Sequence, residues 1–389
     1  MRLSRFVAPF VIAGIVVSQS PWIAAAPDPV EITAILPLTG QAGFLGQEEA
    51  QALRVIEADV NRTGGIGGRP LRFIIEDDQS VPAVGVQLAT QAMTRKAPAI
   101  LGSSLVATCS AMAPLMKSGP VDYCFSPGVH PAAGSYVFSS SISTKDLLAA
   151  SAVYFRERGW KKVAIITSTD ATGQDAERNI DAAFNASNGL TIVTREHFST
   201  TDLSVAAQMA HIKSSGAQAA ILWSTGTPFA TLLRGAYEAG LDIPLETGDG
   251  NLTYAQMKAY GAFMPKNLIF AAPLFTAPNV VSDPAVKKSI TAFLDAFKAT
   301  STRPDIGQSL AWDPAMLVVD ALKKLGPTAS APQIRAYLAG LHRWNGANGA
   351  YDFDAVPQRG LGINGVVMVR WDAAKDAWVG ISKPGGAVR

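Results

Sequence analysis

Charge is scarce in this sequence: Asp, Glu, Lys and Arg together make up 16% of 389 residues. It is also nearly balanced, with 33 Lys and Arg against 31 Asp and Glu for a net charge of +2. Both excess positives, Arg2 and Arg5, fall within the first 26 residues, which hold no acid, so the rest of the chain is neutral. A neutral chain has no bulk attraction for nucleic acid or an anionic membrane, and neither is expected as a partner. Cysteine is limited to Cys109 and Cys124, and histidine to His130, His197, His211 and His342, with no ligand-like spacing. No metal site is expected from them, and no motif asks for a cofactor. Past the N-terminus no stretch has the ~20 uninterrupted apolar residues that a spanning helix needs.

Catalytic signatures are missing as well. Gly40 to Gly46 has neither the Lys nor the spacing of a phosphate-binding loop. Gly64 to Gly68 precedes a strand, whereas a dinucleotide fingerprint follows one. There is no G-x-S-x-G elbow and no H-E-x-x-H. His130, Ser126 and Asp170 can be drawn as a triad, but an ordinary loop histidine accounts for His130. An exported hydrolase is therefore the least favoured reading.

What is present begins with the N-terminus. Arg2 and Arg5 precede an apolar run from Phe6 to Val17, then Ser18-Gln19-Ser20-Pro21 and the small cluster Ala24-Ala25-Ala26. That order is the pattern of a secretory signal peptide over residues 1–26, with no cysteine nearby to take a lipid. The chain is expected to be exported to the periplasm. An oxidising compartment permits a Cys109–Cys124 disulfide, and the one helix and one turn between them favour it.

The remaining chain is too long for one hydrophobic core, so two domains are expected. Hydrophobic residues make up 48%, which is globular composition. Strands and helices alternate: Glu31–Leu36, a helix over Gln47–Asn61, Leu71–Asp77, a helix around Val84–Ala97, Ala99–Gly102, a helix from Cys109 to Lys117, and Val121–Phe125. The rhythm restarts with a helix at Leu147–Arg158, then Lys162–Thr167, Leu190–His197, Ala219–Trp223 and Leu268–Ala272 as strands between helices. Helices near Pro284–Lys298, Asp313–Leu325 and Pro332–Ala339 follow, with antiparallel strands at the end. The fold class is α/β, as two doubly wound lobes. Ligands of such sheets sit beyond the carboxyl ends of the strands. Here those loops, Leu38–Gly46, Ser103–Thr108, Ser126–Pro131, Ser168–Gly173, Ser224–Pro228 and Thr247–Asn251, are rich in Ser, Thr and Gly. Any single hydroxyl reads as a cap or turn residue, yet six such loops point to a cleft.

Several runs carry a resemblance. They are Ile35-Leu36-Pro37-Leu38-Thr39-Gly40, then Asn61-Arg62-Thr63-Gly64-Gly65-Ile66-Gly67-Gly68-Arg69-Pro70-Leu71, Glu76-Asp77-Asp78, Ser126-Pro127-Gly128, Leu232-Leu233-Arg234, Glu238-Ala239-Gly240-Leu241 and Thr247-Gly248-Asp249-Gly250. From about Glu31 to Trp371 the chain resembles the type I periplasmic binding proteins of the leucine/isoleucine/valine class, which deliver ligands to ABC transporters. The resemblance implies a non-enzymatic monomer whose two lobes close on a hinge of three crossovers, near Phe138–Ser143, Ala271–Leu274 and Asp354–Gln358. Lobe 1 is then 27–140 with 274–354, and lobe 2 is 141–273 with 355–389.

It also implies a site. The ligand carboxylate would be held by Ser103, Ser104 and Thr108 and by the turn at Gly128 and His130. Asp249 would hold an ammonium group, since a desolvated cation needs an anionic partner. His130 stands where the amino-acid binders have Thr. Thr172 and Thr225 stand where they have tyrosines, and Phe44 and Leu45 fall at the first-loop tyrosine. Small hydroxyls in place of rings imply a widened pocket and a ligand larger than leucine: an aromatic or aliphatic carboxylate, or an amino-acid derivative. The implied partners are that small molecule and the permease subunits of an ABC system. A binding protein that presents its closed form to a membrane sensor is the alternative.

Overall fold

The computed structural model describes residues 27–389, so the expected leader lies outside the described residues. The first sheet is built around β1 (Val30–Leu36), buried along its length except at Glu31, as a strand covered on both faces must be. After it come α1 (Gly43–Arg62), β2 (Leu71–Asp77), α2 (Pro82–Thr94), β3 (Ala99–Gly102), α3 (Val106–Met112), β4 (Val121–Cys124) and β5 (Val137–Ser139). All five strands are parallel, in the order β2-β1-β3-β4-β5, with Thr33 opposite Ile100 and Ile35 opposite Glu76.

The chain then leaves through Ser140–Ser143 and starts a second layer with α4 (Thr144–Glu157), whose N-cap Ser143 accepts from the Asp146 amide. β6 (Lys162–Ser168), α5 (Ala171–Ala183), β7 (Thr191–Phe198), α6 (Ala206–Ser214), β8 (Ala219–Trp223), α7 (Pro228–Glu238), β9 (Leu245–Thr247), α8 (Tyr254–Ala259) and β10 (Leu268–Pro273) complete its parallel part. Next the chain returns to the first sheet through α9 (Pro284–Ala296), α10 (Ile306–Leu325) and α11 (Ala331–Ala339). α10 lies against α1 and β3, and α11 against β4. After the short pair β11 (Trp344–Asn345) and β12 (Ala350–Tyr351), it crosses once more. β13 (Val366–Asp372) and β14 (Ala377–Gly380) then join the second sheet antiparallel beside β10, giving the order β14-β13-β10-β9-β8-β6-β7. The molecule is thus two α/β lobes linked by three passages of the chain.

Three elements differ from the sequence reading. α1 begins at Gly43, one turn before the expected Gln47, because burial of Leu45 and Gly46 outweighs the low helix propensity of its two glycines. β5 is a three-residue edge strand, too short to give a periodic signal. α10 begins at Ile306, two turns before the expected Asp313. Asp305 and Gln308 form a capping box there, and Pro314 lies inside the helix. Proline has no N–H to give the carbonyl four residues back. That carbonyl, on Leu310, instead accepts from Ser140 Oγ at 3.1 Å, so the break in the helix is repaired by the first crossover.

The lobes are closed on each other. The Tyr254 amide donates to Asp305 Oδ2 at 2.8 Å, and the Arg303 guanidinium lies 3.9 Å over the Tyr254 ring. At a separate place His130 Nε2 meets Asp175 Oδ1 at 2.8 Å.

Cys109 and Cys124 are joined by a disulfide between α3 and β4, both fully buried. With 15 residues between them in sequence, the loop-entropy argument gives about 3 kcal/mol of stabilisation. Urea unfolding of Cys109→Ala/Cys124→Ala should show a loss of that size. A midpoint unchanged from the oxidised parent would contradict it.

Candidate functional site

The carboxyl ends of the two sets of parallel strands face each other, and one cavity lies between them. The first lobe supplies Ser104, Leu105 and Val106 after β3, Phe125 to Gly128 after β4, Leu45 from the first turn of α1 and Leu310 from α10. The second supplies Thr144 and Thr172 at the starts of α4 and α5, Trp223 to Thr225 at the end of β8, and Gly248 to Gly250 after β9. Leu45, Ser104, Gly128, Thr172, Thr225 and Asp249, singled out from sequence, are brought together here.

Four other candidates are not. Phe44 is half-buried and packs into the hydrophobic core. Ser103 is buried beneath the β3–α3 turn, its Oγ accepting from the Leu105 amide at 3.4 Å. Thr108 sits on the face of α3 that meets Gly85 of α2, where a Cβ would come within 2.4 Å of its methyl. His130 is no anion anchor in the cavity: its side chain is 45% exposed and bonded to Asp175. The pair ties the loop after β4 to α5 of the other lobe. Asp175 itself is buried, which pushes its carboxyl up. The bonds from His130 and Arg178 outweigh this and hold it below the usual range.

The expected widening is not seen either. The cavity offers ≈ 40 Å³ to the centres of water-sized molecules, room for about three waters. Trp223 takes the space that small hydroxyls at 172 and 225 would have freed. Its indole lies on Gly248, where any Cβ would stand 2.9 Å from the ring. Gly128 is likewise required, because a Cβ would meet Val106 at 2.7 Å and Asp175 at 3.1 Å. Sequence reading missed Trp223, Phe125, Val106, Leu105 and Leu310, because buried apolar residues at strand and helix ends look like core. The position of Trp223 at the carboxyl end of β8 was the available signal.

The walls carry one charge. Asp249 is 1% exposed, and no Lys, Arg or His lines the cavity. Burial pushes its carboxyl up to about 6, against the Ser141 hydroxyl, which donates to it, and the nearby positive charge of Arg359. Two buried hydroxyls on the cavity wall, Ser126 Oγ of the first lobe and Ser224 Oγ of the second, have no hydrogen-bond partner in the protein. Ser104 Oγ, also without one, lies beside the buried Glu49, whose carboxyl burial pushes up to about 8. Buried polar groups are seldom left unpaired, so these hydroxyls are set for a polar occupant. Such a site can bind a small amphiphilic solute. It lacks a nucleophile–base pair and, among the described residues, a group of ligands for a metal.

Behind the cavity is Arg359, which sequence reading did not single out. Only 4% exposed, it donates through Nη1 to the Ser140 and Ser141 carbonyls at 3.3 and 3.0 Å. Nη2 donates to the Pro127 carbonyl at 3.2 Å and to that of Val129. Burial lowers its pKa to about 10, and Asp146, Asp175 and Asp249 all act to hold its charge. Ser141 and the neighbouring Gln358 both adopt left-handed backbone, with φ of +64° and +60°. The Gln358 side chain bonds the Gly134 amide and the Ser135 carbonyl at 3.0 and 2.9 Å.

Comparison with known proteins agrees with this architecture. The sequence matches the family described as periplasmic binding protein over residues 29–376. No curated protein sequence matches it significantly. Among solved structures, a Rhodopseudomonas palustris protein is similar with a TM-score of 0.81 at 20% identity, covering 91% of this chain and 100% of its own. The branched-chain amino acid transporter substrate binding protein LivJ of Streptococcus pneumoniae, in complex with isoleucine, gives 0.76 at 19% identity, covering 91% and 100%. An ABC transporter solute binding protein of R. palustris in complex with benzoate gives 0.75 at 17%, covering 91% and 95%. At these identities the likeness is one of fold.

Replacing Arg359 by Gln should cost about 3 kcal/mol in chemical denaturation, since it strips charged donors from four buried carbonyls. Arg359→Lys should recover only part, because an ammonium cannot span both pairs. A loss under about 1 kcal/mol for Arg359→Gln would show that the guanidinium does not hold the crossovers together.

Proposed function

The chain belongs to the periplasmic binding protein family, whose members are non-enzymatic binders of small solutes, and on that footing we propose that it captures an apolar amino acid between its lobes. It then presents the loaded, closed form to the permease of an ABC uptake system. The observation that carries the reading is a closed interlobe cavity whose one charged wall residue is the buried Asp249, facing hydroxyls that have no protein partner.

In this reading Asp249 takes the ammonium group. The carboxylate is met by Ser104 and the backbone at Gly128 on the first lobe, and the apolar side chain lies among Val106, Phe125, Trp223 and Leu310. Closure is favoured because these contacts come from both lobes at once, which is the differential affinity a conformational change requires. A plain carboxylate would bring a second negative charge to a wall with no cation, so it binds only where Asp249 is protonated. That argues against the larger, amino-free acids that the threonines at 172 and 225 first suggested.

The two ligand classes give opposite pH dependence. The free protein holds a proton on Asp249 below about 6, and an ammonium ligand must displace it. Affinity for an apolar amino acid should therefore be flat above pH 7 and fall as pH drops through 6, approaching tenfold per unit. Affinity for an amino-free acid should rise over the same interval. Titration calorimetry between pH 5 and 8 measures both slopes. Asp249→Asn should weaken amino-acid binding at pH 8 by about 10- to 100-fold and remove the slope. An amino-acid affinity that rises on acidification, or survives Asp249→Asn, would refute the assignment.

A further inference from the structure

We propose a second binding site, for a small multivalent anion, in an open basin of ≈ 620 Å³ at the far end of the second sheet. It shares no residue with the interlobe cavity. Pro244 and Asn267 on its wall precede β9 and β10, so it lies at the amino ends of the strands whose carboxyl ends face the cleft.

Three guanidinium groups line the basin: Arg158 at the end of α4, Arg370 on β13, and Arg389. No Asp or Glu side chain lines it. The ion pairs among the described residues all use other groups. Glu157, next to Arg158 in sequence, is outside the lining and accepts from the Val388 amide at 2.7 Å. Two of the three cations converge on one hydroxyl. Burial pushes the Tyr154 phenol up, and both Arg158 and Arg370 act to lower it. Arg158 also lies 5.3 Å over the Trp160 ring, which fixes its guanidinium at the basin wall.

The observation that points to a ligand is Arg370 Nε, a buried donor with no hydrogen-bond partner in the protein. A desolvated guanidinium edge without an acceptor is costly, and an anion with several oxygens removes that cost while bridging Arg370 and Arg158. Concave walls without compensating acid concentrate the positive potential there. Planar forks of donors favour phosphate or polycarboxylate over a monovalent halide. The Asn267 amide adds a neutral polar group to the same wall.

The test is titration calorimetry of the exported chain with inorganic pyrophosphate and with citrate in dilute chloride buffer. Sodium chloride at matched ionic strength serves as the control. One saturable site is expected for at least one of the two anions. It should be weakened at least tenfold by Arg370→Gln and by Arg158→Gln, and less by Arg370→Lys. Amino-acid binding in the cleft should be unchanged in Arg370→Gln, which also shows that the variant is folded. Heats that chloride reproduces, saturable binding that survives both Gln variants, or no saturable binding of either anion would each overturn the proposal.

Discussion

A guanidinium taken out of water has to find acceptors for its fork of donors, and the way Arg359 does so organises the centre of this molecule. It belongs to the last passage of the chain between lobes. Its four acceptors are Pro127 and Val129 in the loop after β4, and Ser140 and Ser141 in the first passage. One side chain thus fixes two hinge segments relative to the loop that forms part of the cleft wall. The positive charge it buries is balanced at a distance by Asp146, Asp175 and Asp249, not by a contact ion pair. Asp249 is tied to the same arrangement through Ser141, whose hydroxyl donates to it from a left-handed backbone position. The charge on the cavity wall and the geometry of the hinge are therefore one electrostatic unit.

Closure builds on that unit. Contacts such as His130 with Asp175, and the Tyr254 amide with Asp305, come from opposite lobes and exist only when the cleft is shut. An exposed pair like the first contributes at most about 1 kcal/mol. The lobes need the occupant's own contacts to decide the equilibrium. A dissociation constant of about 1 μM corresponds to about 8 kcal/mol, within reach of a few charge-assisted hydrogen bonds and one buried apolar side chain.

The alternation of apolar strands with amphipathic helices made the two-lobed α/β fold readable in the sequence, because parallel strands buried on both faces leave a plain hydrophobic signature. Boundaries were less legible. Pro314 argued for a late start to α10, and only the Leu310 carbonyl meeting Ser140, 170 positions away, explains why the helix runs through it. Within the site, loop position alone was enough to gather Ser104, Thr172, Thr225 and Asp249. His130 was misread because its partner, Asp175, lies 45 positions on and in the other lobe. Trp223 and Arg359 escaped notice for a related reason. A tryptophan at a strand end looks like core and an arginine in a loop looks like surface until tertiary structure brings each to its place.

The central claim is that the interlobe cavity selects its occupant through an ammonium group held by Asp249. Titration of ligand-stripped protein at pH 8 with matched pairs, an apolar amino acid and the same acid without its amino group, tests it most directly. The account predicts one molecule bound per chain for an amino acid, and at least tenfold weaker binding of its desamino partner. Equal or tighter binding of the desamino acid would contradict it.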